Sequence, residues 1–132
     1  MPHPLALKRP TIAVLAAVGI GAAGFVATEI SGADAATTHT AKLSAKASAI
    51  KFNKTKITTS AGKLKITFSN PSGSIAPHGV AVEGHGLDKD SKIVTAGKKT
   101  TLTVTLKKGT YTFYCPVGDH RSEGMEGKIV VK

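Results

Sequence analysis

An all-β sandwich is predicted for most of this chain by three observations: short apolar–polar alternation, turn residues at close intervals, and no helical periodicity. Leu64-Lys65-Ile66-Thr67-Phe68, Thr101-Leu102-Thr103-Val104-Thr105-Leu106 and Tyr111-Thr112-Phe113 alternate apolar with polar, the period of a half-buried strand. Val80-Ala81-Val82 and Ile129-Val130-Val131 are short β-rich apolar runs. Ala61-Gly62-Lys63, Asn70-Pro71-Ser72-Gly73, Glu83-Gly84-His85-Gly86, Ala96-Gly97-Lys98 and Lys107-Lys108-Gly109 separate these segments as turns. Strands at this spacing, about seven to eight of them, predict two packed sheets.

The elements divide in order along the chain. Lys8 and Arg9 precede the apolar run Ile12 to Ala27, and Ala33-Asp34-Ala35 fits a small-residue cleavage site. Residues 1–35 are therefore expected to be an export signal, or an uncleaved anchor if the cleavage does not occur. The run is short for a full membrane span, and Gly19, Gly21 and Gly24 dilute it. Membrane contact is expected only if this segment is retained. Residues 36–41 read as a polar linker, with a solvated His39, and residues 42–132 as one domain. In either case the domain is placed outside the cytoplasm: periplasmic, secreted, or on the outer face of the membrane.

The 132 residues carry a formal net charge of +10. Lys8 and Arg9 are offset by Glu29 and Asp34, so the excess belongs to the domain. Nucleic acid is set aside as a partner, because the lysines are scattered and no aromatics interleave with them. Solubility, or attraction to an acidic partner, is the better account of the charge.

Cys115 is the only cysteine, so no internal disulfide is possible. It opens the stretch Cys115-Pro116-Val117-Gly118-Asp119-His120-Arg121-Ser122-Glu123-Gly124-Met125, with the spacing Cys-x4-His-x4-Met before the last apolar run. One loop thus offers a thiolate, an imidazole and a thioether. Soft sulfur suits Cu(I) and nitrogen suits Cu(II), so the set suits copper cycling between the two. His78, in Ala76-Pro77-His78-Gly79-Val80, supplies the second imidazole at the start of an earlier strand. Zinc fits less well, since methionine is not a usual zinc ligand, and a binuclear copper centre would need a second cysteine. His85, between two glycines, reads as an exposed turn residue. Glu83, Asp88, Asp90, Asp119, Glu123 and Glu126 show no pairing that points to acid–base catalysis.

This loop resembles the ligand loop of the cupredoxins, the blue copper proteins. His78, then Cys115, His120 and Met125, follow the family's order, and the Tyr-x-Phe-Tyr-Cys lead-in and Gly-Met-x-Gly exit are also similar to it. The resemblance implies a Greek-key β-sandwich holding one type 1 copper ion on those four side chains. It also implies a partly exposed His120 as the electron's exit, with Pro77, Pro116 and Val117 around it. Gly79 departs from the family, where an Asn after the first His ties the two ligand segments together; Asn70 is the candidate for that tie.

The expected function is one-electron transfer, without enzymatic activity, by a monomer between redox partners, toward whose acidic docking surfaces the lysines would steer it. Copper delivery, storage or sensing without electron transfer is the alternative. An enzyme fragment is disfavoured, because the chain is too short for the further domain and copper centres of copper enzymes. A metal-free interaction sandwich is the remaining class.

Overall fold

The computed structural model describes residues 37–132, and the expected export signal at 1–35 lies outside them. Among the described residues there are nine strands and no α-helix. In order they are β1 (Thr38–Lys46), β2 (Ala49–Phe52), β3 (Lys56–Thr59), β4 (Gly62–Ser69), β5 (Ala81–Gly84), β6 (Leu87–Asp90), β7 (Lys99–Leu106), β8 (Gly109–Tyr114) and β9 (Glu126–Val131). One sheet runs β2-β1-β4-β7 and the other β3-β9-β8-β5-β6. The β1–β4 and β3–β9 pairs are parallel and the rest antiparallel. The chain crosses repeatedly from one sheet to the other, so the Greek-key sandwich expected from the sequence is borne out.

The alternating segments form strands for the reason their pattern implies. Leu64 and Ile66 of β4 pair with Val104 and Leu102 of β7, Phe68 and Leu106 extend the same face, and all six are buried. Tyr111 and Phe113 of β8, with Ile129 and Val131 of β9, supply the opposite face of the core. Each such side chain contributes about 1.5–3 kcal/mol on burial. Phe52 bridges the layers, its ring 5.9 Å from Phe68 and 5.3 Å from Phe113.

Two boundaries differ from the sequence reading. The segment read as a linker, residues 36–41, is strand from Thr38 onward, because β1 pairs with β4 from Thr38↔Lys63. His39 is accordingly half-buried in β1 rather than free in a linker. The strands not foreseen are the short ones, β2, β3 and β6, each at a sheet edge. Edge strands tolerate charges that mask an apolar period, as in Leu87-Asp88-Lys89-Asp90 of β6.

Gly127, on β9, is hemmed in by its neighbours in the same sheet. A Cβ there would collide with the Phe113 ring and the Thr55 carbonyl, which a packed core cannot move cheaply. Gly127→Ala is expected to destabilise the domain by about 1–3 kcal/mol, measurable as a lower urea midpoint. An unchanged midpoint would show that this contact relaxes freely.

Candidate metal centre

Strand pairing assembles the site. Cys115 follows β8 directly, and Met125 immediately precedes β9. The β8–β9 ladder ends at Tyr114↔Glu126, and the next hydrogen bond runs from the Cys115 N–H to the Met125 carbonyl at 3.0 Å. The intervening loop is tied internally. His120 N–H donates to the Val117 carbonyl, and Met125 N–H to the His120 carbonyl, both at 3.0 Å. Gly118 and Gly124 take left-handed backbone angles of +43° and +102°, which glycine adopts without a Cβ penalty.

His78 arrives from the other side. Ala81 of β5 pairs with Tyr114 of β8, so the residues just before Ala81 run alongside the residue just after Tyr114. His78 forms a β-bridge with Val94: its N–H donates to the Val94 carbonyl at 3.0 Å, and Val94 N–H returns to the His78 carbonyl at 2.8 Å. Ser91 extends this strap. Its N–H donates to the Val80 carbonyl at 2.8 Å, while its hydroxyl oxygen accepts from Val80 N–H at 3.0 Å.

Three donor atoms converge. Cys115 Sγ lies 3.8 Å from His78 Nδ1 and 3.6 Å from His120 Nδ1, and the three ligand atoms are all within 4.8 Å of one another. The spacing fits a shared ion. A nitrogen at about 2.0 Å and a sulfur at about 2.3 Å from one metal, roughly 120° apart, lie about 3.7 Å from each other. His78 and Met125 are fully buried, Cys115 nearly so, and His120 is half-buried. Met125 thus shares the loop and the apolar interior with Cys115.

Burial, and after it the neighbouring His120, holds His78 below the ordinary histidine value of 6.5. Its imidazole is therefore neutral at neutral pH, with a lone pair to give. Its Nε2 is buried without a hydrogen-bond partner, so backbone and packing orient the ring. The pH consequence has a definite sign. The unfolded chain protonates this imidazole at a higher pH than the folded one does. The metal-free protein is thus expected to lose stability as pH falls from about 7.5 through the unfolded-state value, measured as falling Tm. A Tm flat from about pH 7.5 to 5.5 would contradict this.

Asn70 does not tie the two ligand segments together. Fully buried, its side-chain amide donates to the Ala76 carbonyl at 3.0 Å and the Val94 carbonyl at 2.9 Å. It therefore clamps the approach to His78 onto the strap that carries Val94. Gly79 fits the same arrangement, since a Cβ there would lie 2.8 Å from Ile93 Cδ1 and 3.2 Å from Ser91 Oγ. A side chain after the first His would have to displace the exposed tip of Ile93 and would crowd Ser91 Oγ and the Lys92 carbonyl.

Arg121, beside His120, is a site residue the sequence did not reveal. Its guanidinium pairs with Glu83 of β5 and, at 3.1 Å, with Glu126 of β9. It also lies 4.3 Å from the centre of the Tyr114 ring. The hydrogen bond from Arg121 holds the Glu83 carboxyl below the usual range. Glu83 and Arg121 are far apart in the chain, and no local motif links them. His85 is exposed in its turn at φ 51°, with Nε2 3.2 Å from the Thr110 carbonyl oxygen, away from the three donors.

Comparison with known proteins agrees with this geometry. A family model for copper-binding proteins of the plastocyanin/azurin family matches residues 39–132. Plastocyanin B'/B'' of Nicotiana tabacum is 39% identical over 82 residues, covering 54% of this chain and 78% of that one. In fold the chain is similar to auracyanin B, with TM-score 0.66 at 18% identity over 76% of this chain and 92% of that one. It is also similar to auracyanin A, a "blue" copper protein from the green thermophilic photosynthetic bacterium Chloroflexus aurantiacus. There the TM-score is 0.63 at 22% identity, over 73% of this chain and 100% of that one. The family match spans the sandwich from β1 to the last residue: the chain belongs to the plastocyanin/azurin family of copper-binding proteins, the cupredoxins, and its cofactor is one type 1 copper ion.

Proposed function

We propose that His78, Cys115, His120 and Met125 hold the copper, and that the protein is a one-electron carrier between redox proteins outside the cytoplasm. The observation that carries this reading is the convergence of two imidazole Nδ1 atoms on one buried thiol sulfur. Copper supplies a centre that accepts and returns one electron. The protein's part is to hold the donors still, because electron transfer is fast when little has to move. The His78–Val94 bridge, the Asn70 clamp and the hydrogen-bonded loop from Cys115 to Met125 supply that rigidity.

Half-buried His120 is the one of the four proposed ligands that reaches solvent. Pro77 is exposed, and Pro116 and Val117 are half-buried. Ile75, shortly before His78 in the chain, and Ile93, whose Cδ1 lies 2.8 Å from where a Gly79 Cβ would stand, are 67% and 46% exposed and give this part of the surface an apolar character. A partner can exclude water there without having to strip charges.

Voltammetry of the copper-loaded protein tests the carrier reading. The expected result is a reversible one-electron couple with copper retained in both states. Release of Cu(I) to a competing acceptor within a single turnover would favour copper delivery instead.

A further inference from the structure

The positive charge that the sequence spreads along the chain is gathered by the fold. A groove of about 570 Å³ beside β2 and β3 is lined by Lys46, Lys51, Lys54 and Lys56. Adjoining hollows add Lys42 and Lys99. All six are exposed. Among the described residues both ion pairs belong to Arg121, so no carboxylate neutralises these ammonium groups. The one carboxylate lining the groove, Glu126, is already paired with Arg121.

The opposite edge of the same sheet has the opposite charge. β3 and β6 are its two outer strands. β6 carries Asp88 and Asp90, neither of them ion-paired among the described residues, on either side of Lys89, whose ammonium donates to the Thr103 carbonyl. Glu83, on β5 next to it, is paired with Arg121. Tyr114 records this environment: burial, then Asp88 and Asp90, raise its phenol above the ordinary value. An acidic body is therefore drawn to the β3 edge and repelled by the β6 edge, which orients its approach as well as speeding it.

The basic groove also reaches the metal site. Gly124 is part of its lining and directly precedes Met125. The Lys51 side chain passes 3.8 Å from where a Gly124 Cβ would stand. A body seated in the groove thus touches the loop that carries Cys115, His120 and Met125.

We infer that this lysine-lined groove is the docking face for an acidic polypeptide surface, which on the carrier reading is that of the redox partner. Its concave shape favours a protruding acidic segment over a flat anionic bilayer, which would meet only the rim. The inference rests on the proposed function for the partner's role, but not for the binding.

The test uses the copper-loaded protein and a peptide of about ten glutamates, followed by amide chemical shifts in the Cu(I) state. Shifts are expected at Lys51–Lys56 and Gly124, with affinity falling steeply as salt shortens the range of the charges. Lys51→Glu, Lys54→Glu and Lys56→Glu together should weaken binding at least tenfold. Lys63→Glu, Lys107→Glu and Lys108→Glu, the same change in net charge elsewhere, should weaken it less than about threefold. Equal losses in the two triple variants would overturn the groove as a site and leave diffuse charge. Binding to anionic phosphatidylglycerol vesicles that depends on the groove, with none to the peptide, would overturn the polypeptide as occupant. Visible spectra and potentials on the same samples report the carrier reading separately: groove-dependent peptide binding stands whatever they show.

Discussion

Replacing Cys115 with serine is expected to abolish the stabilisation that copper confers, while leaving the metal-free fold largely intact. The sulfur is the one soft anionic donor among the three converging atoms, and a hydroxyl at neutral pH is neither anionic nor soft. Serine also fits: its hydroxyl would sit near His78 Nδ1 and His120 Nδ1, which approach Sγ at 3.8 and 3.6 Å, so a buried polar group gains a partner. For a metal bound only by the folded state, free copper at about a hundred times Kd stabilises by about 2.7 kcal/mol. In a domain of this size that corresponds to a rise in Tm of roughly 10–20 °C. The wild type should show this rise on adding copper, and Cys115→Ser should show almost none. A variant that kept more than half the rise would remove the sulfur from the site.

Asn70→Ala is expected both to destabilise the fold and to disturb the metal site, although it touches none of the four proposed ligands. It deletes two hydrogen bonds from a fully buried side chain, leaving the Ala76 carbonyl with the Ser74 hydroxyl and the Val94 carbonyl with the His78 N–H as their remaining donors. The combined cost is about 1–3 kcal/mol, or roughly 4–24 °C in Tm. Because the clamp holds the segment leading into His78, the electron paramagnetic resonance spectrum and potential of the loaded protein should change as well. A purely structural asparagine would lower Tm and leave both signals in place. Asn70→Asp preserves size but offers a carboxylate where two carbonyls need donors, so it should be at least as harmful as alanine. An alanine variant within about 2 °C of wild type would contradict the clamp.

Much of the sandwich could be read from the chain because its central strands bury one face each. Leu64, Ile66 and Phe68, and Leu102, Val104 and Leu106, show that face as strict alternation. The edge strands could not be read so directly. In β2, β3 and β6 lysines and aspartates share very short runs with the apolar residues; β2 and β6 become strands by folding back on the strand just before them, and β3 by pairing with distant β9. β1 was misplaced at its start for the same reason: Thr38-His39-Thr40 has no apolar period, and parallel pairing with β4 makes it strand.

The candidate ligands divide in a similar way. Cys115, His120 and Met125 stood out because one loop carries all three donor types at fixed spacing. His78 needed the resemblance to pick it out, and the fold then brings its Nδ1 to the sulfur through the β5–β8 pairing. The supports around them are long-range and left no mark in the sequence. Asn70 reaches Val94 and Arg121 reaches Glu83, contacts that exist only after the sheets have packed. Gly79 looked like a loss against the family pattern, yet it leaves room for the Ser91–Val94 strap to pack closely over it.

The central claim is that two imidazoles and one thiolate, with Met125 in the same loop, hold a single copper ion. Titrating the metal-free protein with Cu(II), and following visible and electron paramagnetic resonance spectra together, tests it most directly. The account predicts an intense thiolate-to-copper charge-transfer band and narrow copper hyperfine splitting, both saturating at one equivalent. A pale spectrum with ordinary, wide hyperfine splitting, or saturation at a different stoichiometry, would contradict it.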